Sequence, residues 1–376
     1  MSLTDAIKDY ALSLGYHAVG VAPAEPFAQF AAALEQRRAD YGPFPHLWPA
    51  ADPRNVMPEA KSLVVCIYDY SREGFPPELV GRVARFYLSR AYRPLPDNPH
   101  FFRLQLLRQF LENAGCRIAP WPGGLSGVPD RQAAARAGVA QFGRNNFACS
   151  PGAGTFIIIN TFVVDKELAY DRPSEGLHCP PKCRLCREAC PTGALVEDLR
   201  LDPRLCVAFN TFTTRGEETG VSPYIAAEIR PKMGGWVHGC DICQEVCPKN
   251  VARVKARLPV SAYLSKKAAE FDLYSLLHMT DEYYARVVHP LMYHYIRDQK
   301  FFRRNAAVAL GNSGDPAAVP HLVQALDDPE EVVRAHVAWA LGRLGGRAAT
   351  EALEKHLARE TGEEARREIR EALAAM

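Results

Sequence analysis

Cysteines are concentrated in one stretch of this chain, because eight of its 11 cysteines lie between residues 179 and 247. They form two groups of four: Cys179, Cys183, Cys186 and Cys190, then Cys206, Cys240, Cys243 and Cys247. A proline follows the last cysteine of each group. Bacterial proteins with two 4Fe-4S clusters use the run Cys-x2-Cys-x2-Cys-x3-Cys-Pro, and thiolates are ligands that such clusters favour. The spacing therefore predicts two 4Fe-4S clusters side by side.

In that pattern the fourth cysteine of each run binds the cluster of the other run. Cys247 is then expected to join Cys183, Cys186 and either Cys179 or a neighbour. Cys190 is expected to join Cys206, Cys240 and Cys243. The first spacing has three intervening residues instead of two, so the loop after Cys179 must bulge.

Structural zinc is the alternative, because paired Cys-x2-Cys motifs also form tetrahedral zinc sites. Zinc sites do not need the two Cys-Pro endings, so the pattern favours iron and sulfur. Disulfides are not expected, because residues 1–15 carry Asp5, Lys8 and Asp9 and do not resemble a secretory signal. We expect a reducing, cytoplasmic setting.

The length of 376 residues allows two or three domains, and the formal charge of +2 indicates no particular partner. No apolar run approaches the roughly 20 residues that span a bilayer, so no membrane association is expected. We predict an α+β protein in three parts. Residues 1–170 form an α/β domain, residues 171–255 a ferredoxin-like domain with two clusters, and residues 256–376 a helical region.

The first 170 residues alternate between helical and strand patterns. Helices are predicted near 3–14, 27–38 and 104–114, and strands at 18–22, 62–70 and 152–164. Cys66, Cys116 and Cys149 have no partner at ligand spacing, so packing is their expected role. The loop 121–129 is rich in glycine and proline and is either a ligand-binding loop or a surface turn.

Basic residues gather in one part of this domain. Between residues 82 and 117 there are seven arginines and two acidic residues. A solvated helix face and a phosphate-binding surface both explain such a bias, and the sequence does not choose between them.

A repeat occupies the C-terminal part. The segments RRNAAVALGNSG (303–314) and RAHVAWALGRLG (334–345) superpose at an offset of 31 residues. Such helical hairpins of the HEAT type stack into an elongated surface that binds macromolecules, although the unit also serves as a packing cap. Arg297, Lys300, Arg303 and Arg304 at the start of the repeat favour an anionic partner.

The order of these parts resembles the epoxyqueuosine reductase family, which shares its cofactors with reductive dehalogenases. The most specific matches are CPTGAL (190–195), LDPRLC (201–206) and GCDICQEVCP (239–248), and the resemblance covers nearly the whole chain. Softer matches are GRVARF (81–86), DRQAAARAG (130–138), GRNN (143–146) and GTF (154–156).

The resemblance implies that the α/β domain is nitroreductase-like and binds a cobalamin. It also implies that an external low-potential donor reduces the clusters, which in turn reduce the cobalamin. The substrate would be epoxyqueuosine in tRNA, and the loss of its epoxide oxygen as water needs protons from a nearby acid.

The chain departs from the family pattern where that acid is expected. The family has Asp-Tyr-His where this chain has Ala91, Tyr92 and Arg93, and its proton-donating aspartate corresponds to Gly124 here. Tyr92 and Asp130 are therefore the candidate catalytic residues, with water as the alternative proton source. Arg131, Arg144 and Asn145 match family positions near the corrinoid and are the candidate cofactor-binding residues.

Two other functions remain open at this point. One alternative is a related corrinoid iron-sulfur reductase with a changed substrate, which Gly124, Ala91 and Arg93 favour. The second alternative is an electron-transfer protein without catalysis of its own. The second alternative leaves the α/β domain and the repeat without a role.

Overall fold

The computed structural model describes residues 1–42, 44–89, 91, 99–121, 126–212, 221–292 and 298–376. The predictions that concern Tyr92, Arg93 and Gly124 lie outside these residues.

An antiparallel sheet of three strands organises the N-terminal part. Its order is β1 (Ala18–Pro23), β2 (Ser62–Asp69) and β3 (Ile157–Val164), with Val21 opposite Val64 and Val65 opposite Thr161. The helices of this part are Leu3–Ser13, Ala28–Gln36, Arg38–Tyr41, Arg85–Leu88, Pro99–Asn113 and Asp130–Arg136. Single 3-10 turns lie at Pro45–Leu47, Pro49–Ala51, Pro53–Asn55 and Tyr70–Arg72.

The central strand β2 is covered on both faces, which explains its unbroken apolar run. Leu63, Val65 and Ile67 pack with the alanines of the helix Asp130–Arg136. Val64 and Cys66 face the helices Leu3–Ser13 and Pro99–Asn113. Successive strand residues point to opposite faces, so a strand buried on both sides must be apolar throughout.

The strand predicted at 152–164 begins later, at Ile157. Gly152 and Gly154 have φ angles of 77° and 75°, in the left-handed region that L side chains rarely adopt. They form a turn in which the Ser150 and Gly154 backbones are hydrogen-bonded. This turn is the reason that regular pairing starts only after Phe156.

The cysteine-rich part contains only short elements. Its helices and 3-10 turns are Leu185–Glu188, Pro203–Leu205, Val207–Phe212, Arg230–Met233, Ile242–Glu245 and Val251–Val254. Two small ribbons pair Gln141–Phe142 with Ala148–Cys149, and Leu195–Glu197 with Arg200–Leu201. The loop after Cys179 bulges as predicted, and Lys182 in it has a φ of 60°.

The C-terminal part is helical. Its first elements are Ala262–Glu270, Leu273–Leu277, Asp281–Tyr283, the π-helical turn Tyr284–Val288 and His289–Leu291. The repeat follows, with helices Lys300–Ser313, Val319–Ala325, Glu331–Leu344, Arg347–Leu357 and Glu363–Ala375 and a 3-10 turn at Pro316–Ala318.

Glycines at equivalent positions let the repeat helices approach closely. A Cβ added to Gly311 would lie 2.8 Å from the Ala340 Cβ, and one added to Gly342 would lie 2.6 Å from the Ala372 Cβ. Glu363–Ala375 therefore packs on Glu331–Leu344 as that helix packs on Lys300–Ser313. The sequence comparison found two units and missed this third packing helix.

Buried polar contacts join the repeat to the cysteine-rich part. Arg230 and Glu368 form a two-fold ion pair with N–O distances of 2.6 and 2.7 Å, and their side chains are only 2% and 4% exposed. The buried Arg304 donates to the carbonyls of Pro223 and Asn210 at 2.5 and 2.7 Å. These contacts fix the repeat against the region that holds the cysteines.

The described cations at the start of the repeat, which suggested an anionic partner, form ion pairs within the chain or are buried. Lys300 pairs with Asp298 and Glu330, and Arg303 with Asp328. Arg304 is buried, and Arg297 lies outside the described residues. The start of the repeat is therefore not an open basic surface, and that reason for an anionic partner is wrong for the described residues.

The five described arginines between residues 82 and 117 likewise have partners within the chain, whereas Arg90 and Arg93 lie outside the described residues. Arg85 forms ion pairs with Asp241 and Glu245, and Arg117 forms ion pairs with Asp165 and Glu59. Arg82, Arg103 and Arg108 also have hydrogen-bond partners within the chain. No helix among the described residues is long and apolar enough to cross a membrane.

Candidate functional site

The structure brings the eight cysteines together in two sets. Cys179, Cys183, Cys186 and Cys247 line one small cavity, and we call them the outer thiol set. Cys190, Cys206, Cys240 and Cys243 are electrostatic neighbours of one another, and we call them the inner thiol set. Each set combines three cysteines from one part of the sequence with one from the other, as the crossed arrangement requires.

Burial and neighbouring thiols raise the pKa of several of these cysteines. Burial is the larger cause for Cys243, followed by the proximity of Cys240, Cys206, Asp241 and Cys190. For Cys186, burial is followed by Cys179, Cys247 and Cys183. Among the described residues, no three cysteine, histidine or carboxylate side chains converge on a single ion, so shared surroundings define the sets. Binding of iron offsets the cost of keeping buried thiolates charged.

Two residues of the GRNN segment contact the thiol sets. The Arg144 backbone N–H donates to the Cys179 Sγ at 3.2 Å, while its guanidinium pairs with Asp198. The Asn145 Nδ2 donates to the Cys243 carbonyl at 3.3 Å, and Asn145 also lines the cavity of the outer set. The segment thus connects the N-terminal part to both sets.

Asn250 is the main polar link between the sheet and the sets. Its Oδ1 accepts from the Thr155 N–H at 3.0 Å, and its Nδ2 donates to the Thr155 Oγ1 at 2.7 Å and to the Gln244 carbonyl at 2.8 Å. A Cβ on Gly154 would lie 2.1 Å from the Asn250 Oδ1. Glycine in the GTF segment is therefore required for this approach.

A second, larger cavity of about 340 Å³ separates the sheet from the inner set. Residues 157–161 of β3 line it together with Gly239, Cys240, Asp241 and Gln244 from the cysteine-rich part. Tyr70, Phe86, Trp121 and Phe147 supply aromatic surface. Mostly apolar walls with a few polar groups are typical of cofactor and substrate sites.

Trp121, which lines this cavity, carries a polar group suited to a ligand. The Trp121 Nε1 is buried and has no hydrogen-bond partner among the described residues. Buried donors are almost always paired, so an unpaired indole N–H beside a cavity indicates a bound group that accepts from it. The donor therefore fits a large cofactor with polar substituents.

Asp130 also lines this cavity, at the start of the helix Asp130–Arg136. Burial raises the pKa of its carboxyl to about 6, and the hydrogen bond from Ser126, the nearby Thr161 hydroxyl and the charge of Arg131 oppose that rise. The Ser126 Oγ donates to the Asp130 Oδ1 at 2.6 Å. A carboxyl with a pKa near 6 holds a proton in a useful fraction of molecules near neutral pH.

The predicted residues therefore separate into two places. Asp130 and Arg131 line the large cavity, where burial lowers the pKa of Arg131 and its guanidinium donates to the Asn146 carbonyl. Arg144 and Asn145 lie at the thiol sets instead. Tyr92 lies outside the described residues.

Sequence reasoning missed several residues of the site. Asn250 and Gln244 were not singled out, and Trp121 was named only as the first residue of the loop 121–129. Cys149 is buried, in keeping with its predicted packing role, and it also lines the cavity of the outer set. Asn250 follows Cys247 by three residues, so its closeness to the thiols was available from the sequence. Its contact with Gly154 was not, because 95 residues separate Asn250 from the bonded Thr155.

Two crossed thiol sets, one of them beside a ligand cavity, define a two-cluster iron-sulfur oxidoreductase. Residues 178–250 match the family of 4Fe-4S double cluster binding domains, and residues 296–374 match HEAT repeats. The chain belongs to the epoxyqueuosine reductase family. The predicted fold class, the double-cluster domain and the repeat are confirmed, and the zinc alternative is not supported.

The similarity extends over most of the chain. An epoxyqueuosine reductase from Bacillus cereus is 28% identical over 396 residues, which is 97% of this chain and 95% of that protein. One from Synechococcus sp. strain CC9605 is 31% identical over 257 residues, covering 66% of this chain and 76% of that protein.

Solved structures of epoxyqueuosine reductases are similar as well. The Bacillus subtilis enzyme, solved with its aspartate-bearing catalytic loop swung out of the active site, has a TM-score of 0.83 at 27% identity and covers 100% of this chain and 99% of its own. An epoxyqueuosine reductase with an epoxyqueuosine-modified tRNA-Tyr stem loop has a TM-score of 0.80 at 27% identity, covering 99% and 98%.

Proposed function

We propose that this chain reduces epoxyqueuosine in tRNA to queuosine in the cytoplasm, using two 4Fe-4S clusters and a cobalamin. The observation that carries the proposal is the large cavity, whose lining includes Cys240 of the inner set, the Trp121 ring with its unpaired Nε1 and the Asp130 carboxyl of raised pKa. A relative solved with an epoxyqueuosine-modified tRNA stem loop supports the substrate.

The two thiol sets are the proposed cluster ligands. The outer set holds one cluster and the inner set the other, so that electrons reach the cavity through Cys240 and its neighbours. Arg144 and Asn145 serve this arrangement from the thiol side: an N–H donated to a ligand sulfur stabilises its negative charge, and the Asn145 amide fixes the backbone at Cys243.

The large cavity is the proposed site of cobalamin and substrate. When bound, a cobalamin supplies the strongly reducing centre that opens the epoxide. Trp121 would donate to a polar substituent of the cofactor, and the aromatic residues of the lining would exclude water. Arg131 donates to the Asn146 carbonyl and so fixes the loop beside Phe147. Low polarity around the site strengthens each remaining electrostatic contact.

Asp130 is the proposed proton donor. Reduction of an epoxide to an alkene with loss of water takes two electrons and two protons, so a proton must reach the leaving oxygen. Asp130 is a carboxyl that lines the cavity and is not ion-paired in the described structure, whereas Asp241 on the same lining is bound by Arg85. Ser126 fixes the orientation of the Asp130 carboxyl. Tyr92 and water are the competing donors.

The test is product formation. Protein reconstituted with iron, sulfide and cobalamin is incubated with a low-potential reductant and a tRNA stem loop that carries epoxyqueuosine, and the nucleosides are identified by mass spectrometry. We expect queuosine, which lacks one oxygen atom of the substrate. No queuosine while the Bacillus subtilis enzyme is active in parallel would favour the second candidate, a corrinoid reductase with another substrate, which Gly124 in place of the family aspartate suggests.

A further inference from the structure

The two thiol sets differ in what surrounds them. The inner set adjoins the large cavity through Cys240. The cavity of the outer set is instead bounded by the surface residues Pro180, Leu185, Pro248 and Lys249. The outer set is therefore the end of the pair at which electrons can enter from another molecule.

Unpaired cations surround this end. Lys182 and Arg184 flank Cys183, and Lys249 is close enough to influence the Cys247 thiol. All three are exposed, and none has an ion-pair partner among the described residues. Their charges are thus available to a partner, unlike those of the five described arginines between residues 82 and 117.

The local balance of charge is positive. Residues 246–269, which contain Cys247, include six lysines and arginines. Arg253 pairs with Asp69 and Lys267 with Glu270, whereas the other four cations, Lys249, Lys255, Arg257 and Lys266, have no ion-pair partner among the described residues. Between residues 171 and 205, which contain the first four cysteines, the exposed acidic residues are Glu175, Glu188 and Glu197. A surface with this excess attracts an acidic partner and raises its rate of association, an effect that salt weakens.

The apolar part of the surface is aliphatic. Leu185 is 46% exposed and Leu177 is 36% exposed, next to Pro180 and Pro181. Unpaired RNA bases stack on aromatic side chains, which this surface lacks among those residues. A small aliphatic centre within a basic rim fits a transient protein contact of the kind that redox partners make.

We propose that Pro180, Lys182, Arg184, Leu185 and Lys249 form the docking surface for an acidic protein that carries low-potential electrons. This proposal rests on the proposed function, because a reductase needs an external electron donor. Each encounter oxidises the carrier by one electron and reduces the iron-sulfur centre of this chain by one. Two encounters supply the two electrons that the epoxide needs, and no bond forms between the proteins.

The test compares two charge reversals of equal size. In one variant Lys182, Arg184 and Lys249 are replaced by glutamate. In the control, Arg343, Lys355 and Arg370 on the repeat are replaced by glutamate, because these cations are also exposed and without a described ion pair. Reduction of the clusters by a reduced acidic ferredoxin is followed by stopped-flow absorbance without tRNA, and binding of the oxidised ferredoxin is measured by calorimetry.

For the docking variant we expect at least about a tenfold loss in the second-order rate and in affinity at low ionic strength. The loss should shrink as salt is added. The control variant should stay within about twofold of the wild type, and excess dithionite should reduce the clusters of all three proteins to the same extent. Iron content should stay near eight atoms per chain, as two clusters require.

Equal losses in both variants, or no loss in the docking variant, would overturn the proposal. Weaker binding of a tRNA stem loop with unchanged ferredoxin kinetics would assign the surface to RNA instead. If the docking variant loses iron, the neutral pair Lys182→Gln and Arg184→Gln replaces it, and an unchanged ferredoxin rate in that variant would also overturn the proposal. Because the clusters are monitored directly, failure to reduce epoxyqueuosine would leave this result interpretable.

Discussion

The cysteine-rich part and the repeat are held together in different ways. The helices of the repeat run for up to 14 residues and pack through alanine, valine and leucine, with glycines at matched positions for close approach. The described helices of residues 178–250 run for four to six residues and are joined by side-chain hydrogen bonds. Long regular helices stabilise themselves by apolar packing, whereas short irregular segments need other constraints.

This difference indicates that the folding of the cysteine-rich part depends on bound iron and that the folding of the repeat does not. Asn250, Asn145 and Asp241 fix the cysteine-rich part to the N-terminal part, but its own apolar core is small. Ligand bonds to iron then contribute directly to its folding, as they do in other small metal-binding domains. The repeat has no such need. Changes at the cysteines should therefore disturb one region and spare the other.

The largest effect is expected from loss of a cluster ligand. Cys247→Ser should lower iron from about eight to about four atoms per chain and abolish turnover, because the outer set loses its crossing ligand. Helical circular dichroism of the repeat should persist. Cys149→Ala is the matched control, since Cys149 lines the same cavity without a predicted ligand role, and it should keep all its iron. Iron loss in the control alone would contradict the assignment of the sets.

The next effect concerns the buried ion pair that connects the two regions. Arg230→Met leaves Glu368 charged and buried, and we expect unfolding to become easier by about 3–5 kcal/mol. Arg347→Met breaks a pair whose side chains are 90% and 62% exposed, and should cost at most about 1 kcal/mol. Denaturant unfolding followed by circular dichroism measures both.

The double variant Arg230→Met with Glu368→Leu sharpens that comparison. It removes both charges, so most of the lost stability should return. A double variant as unstable as the single one would show that packing around Arg230, and not its charge, holds the two regions together.

A smaller effect is expected at the glycine turn before β3. Gly154→Ala adds a Cβ at a φ of 75° and 2.1 Å from the Asn250 Oδ1, so we expect a loss of about 3–4 kcal/mol from strain and broken hydrogen bonds. Gly176→Ala is the control, because its φ is 71° and nothing lies within 4 Å of the added atom. It should cost about 1–2 kcal/mol. Equal costs would mean that Asn250 adapts freely.

Much of this architecture was predictable from local patterns. The apolar run of β2, the Cys-Pro spacing and the matched ALG segments each specify an element through neighbouring residues alone. The helix Glu363–Ala375 was missed because it lacks the ALG segment. Its sequence is rich in charged residues, although its Ala372 packs against Gly342.

Long-range partners set the limit on what the sequence predicts. The basic run looked available for phosphates because Asp241, which pairs with Arg85, lies 156 residues away. The large cavity is formed by β3 and residues 239–244, which no local pattern connects. The raised pKa of Asp130 follows from burial in that assembly and has no sequence signature.

Asp130 gives the reaction an expected pH dependence. Its pKa of about 6 means that the protonated, donating form declines as the pH rises through that value. The rate of epoxide reduction should therefore fall above about pH 6 in the wild type. Asp130→Asn should remove this fall of the rate with pH. If the same fall persists in the variant, the proton comes from Tyr92 or from water.

The most direct measurement is the single-turnover rate of queuosine formation by the wild type, Asp130→Asn, and Asp130→Asn combined with Gly124→Asp. Loss of general acid catalysis should slow Asp130→Asn by about 10²–10⁴, and the added aspartate should restore part of the rate. An undiminished rate in Asp130→Asn would contradict the assigned acid. Absence of queuosine with the wild type, beside an active Bacillus subtilis enzyme, would contradict the function itself.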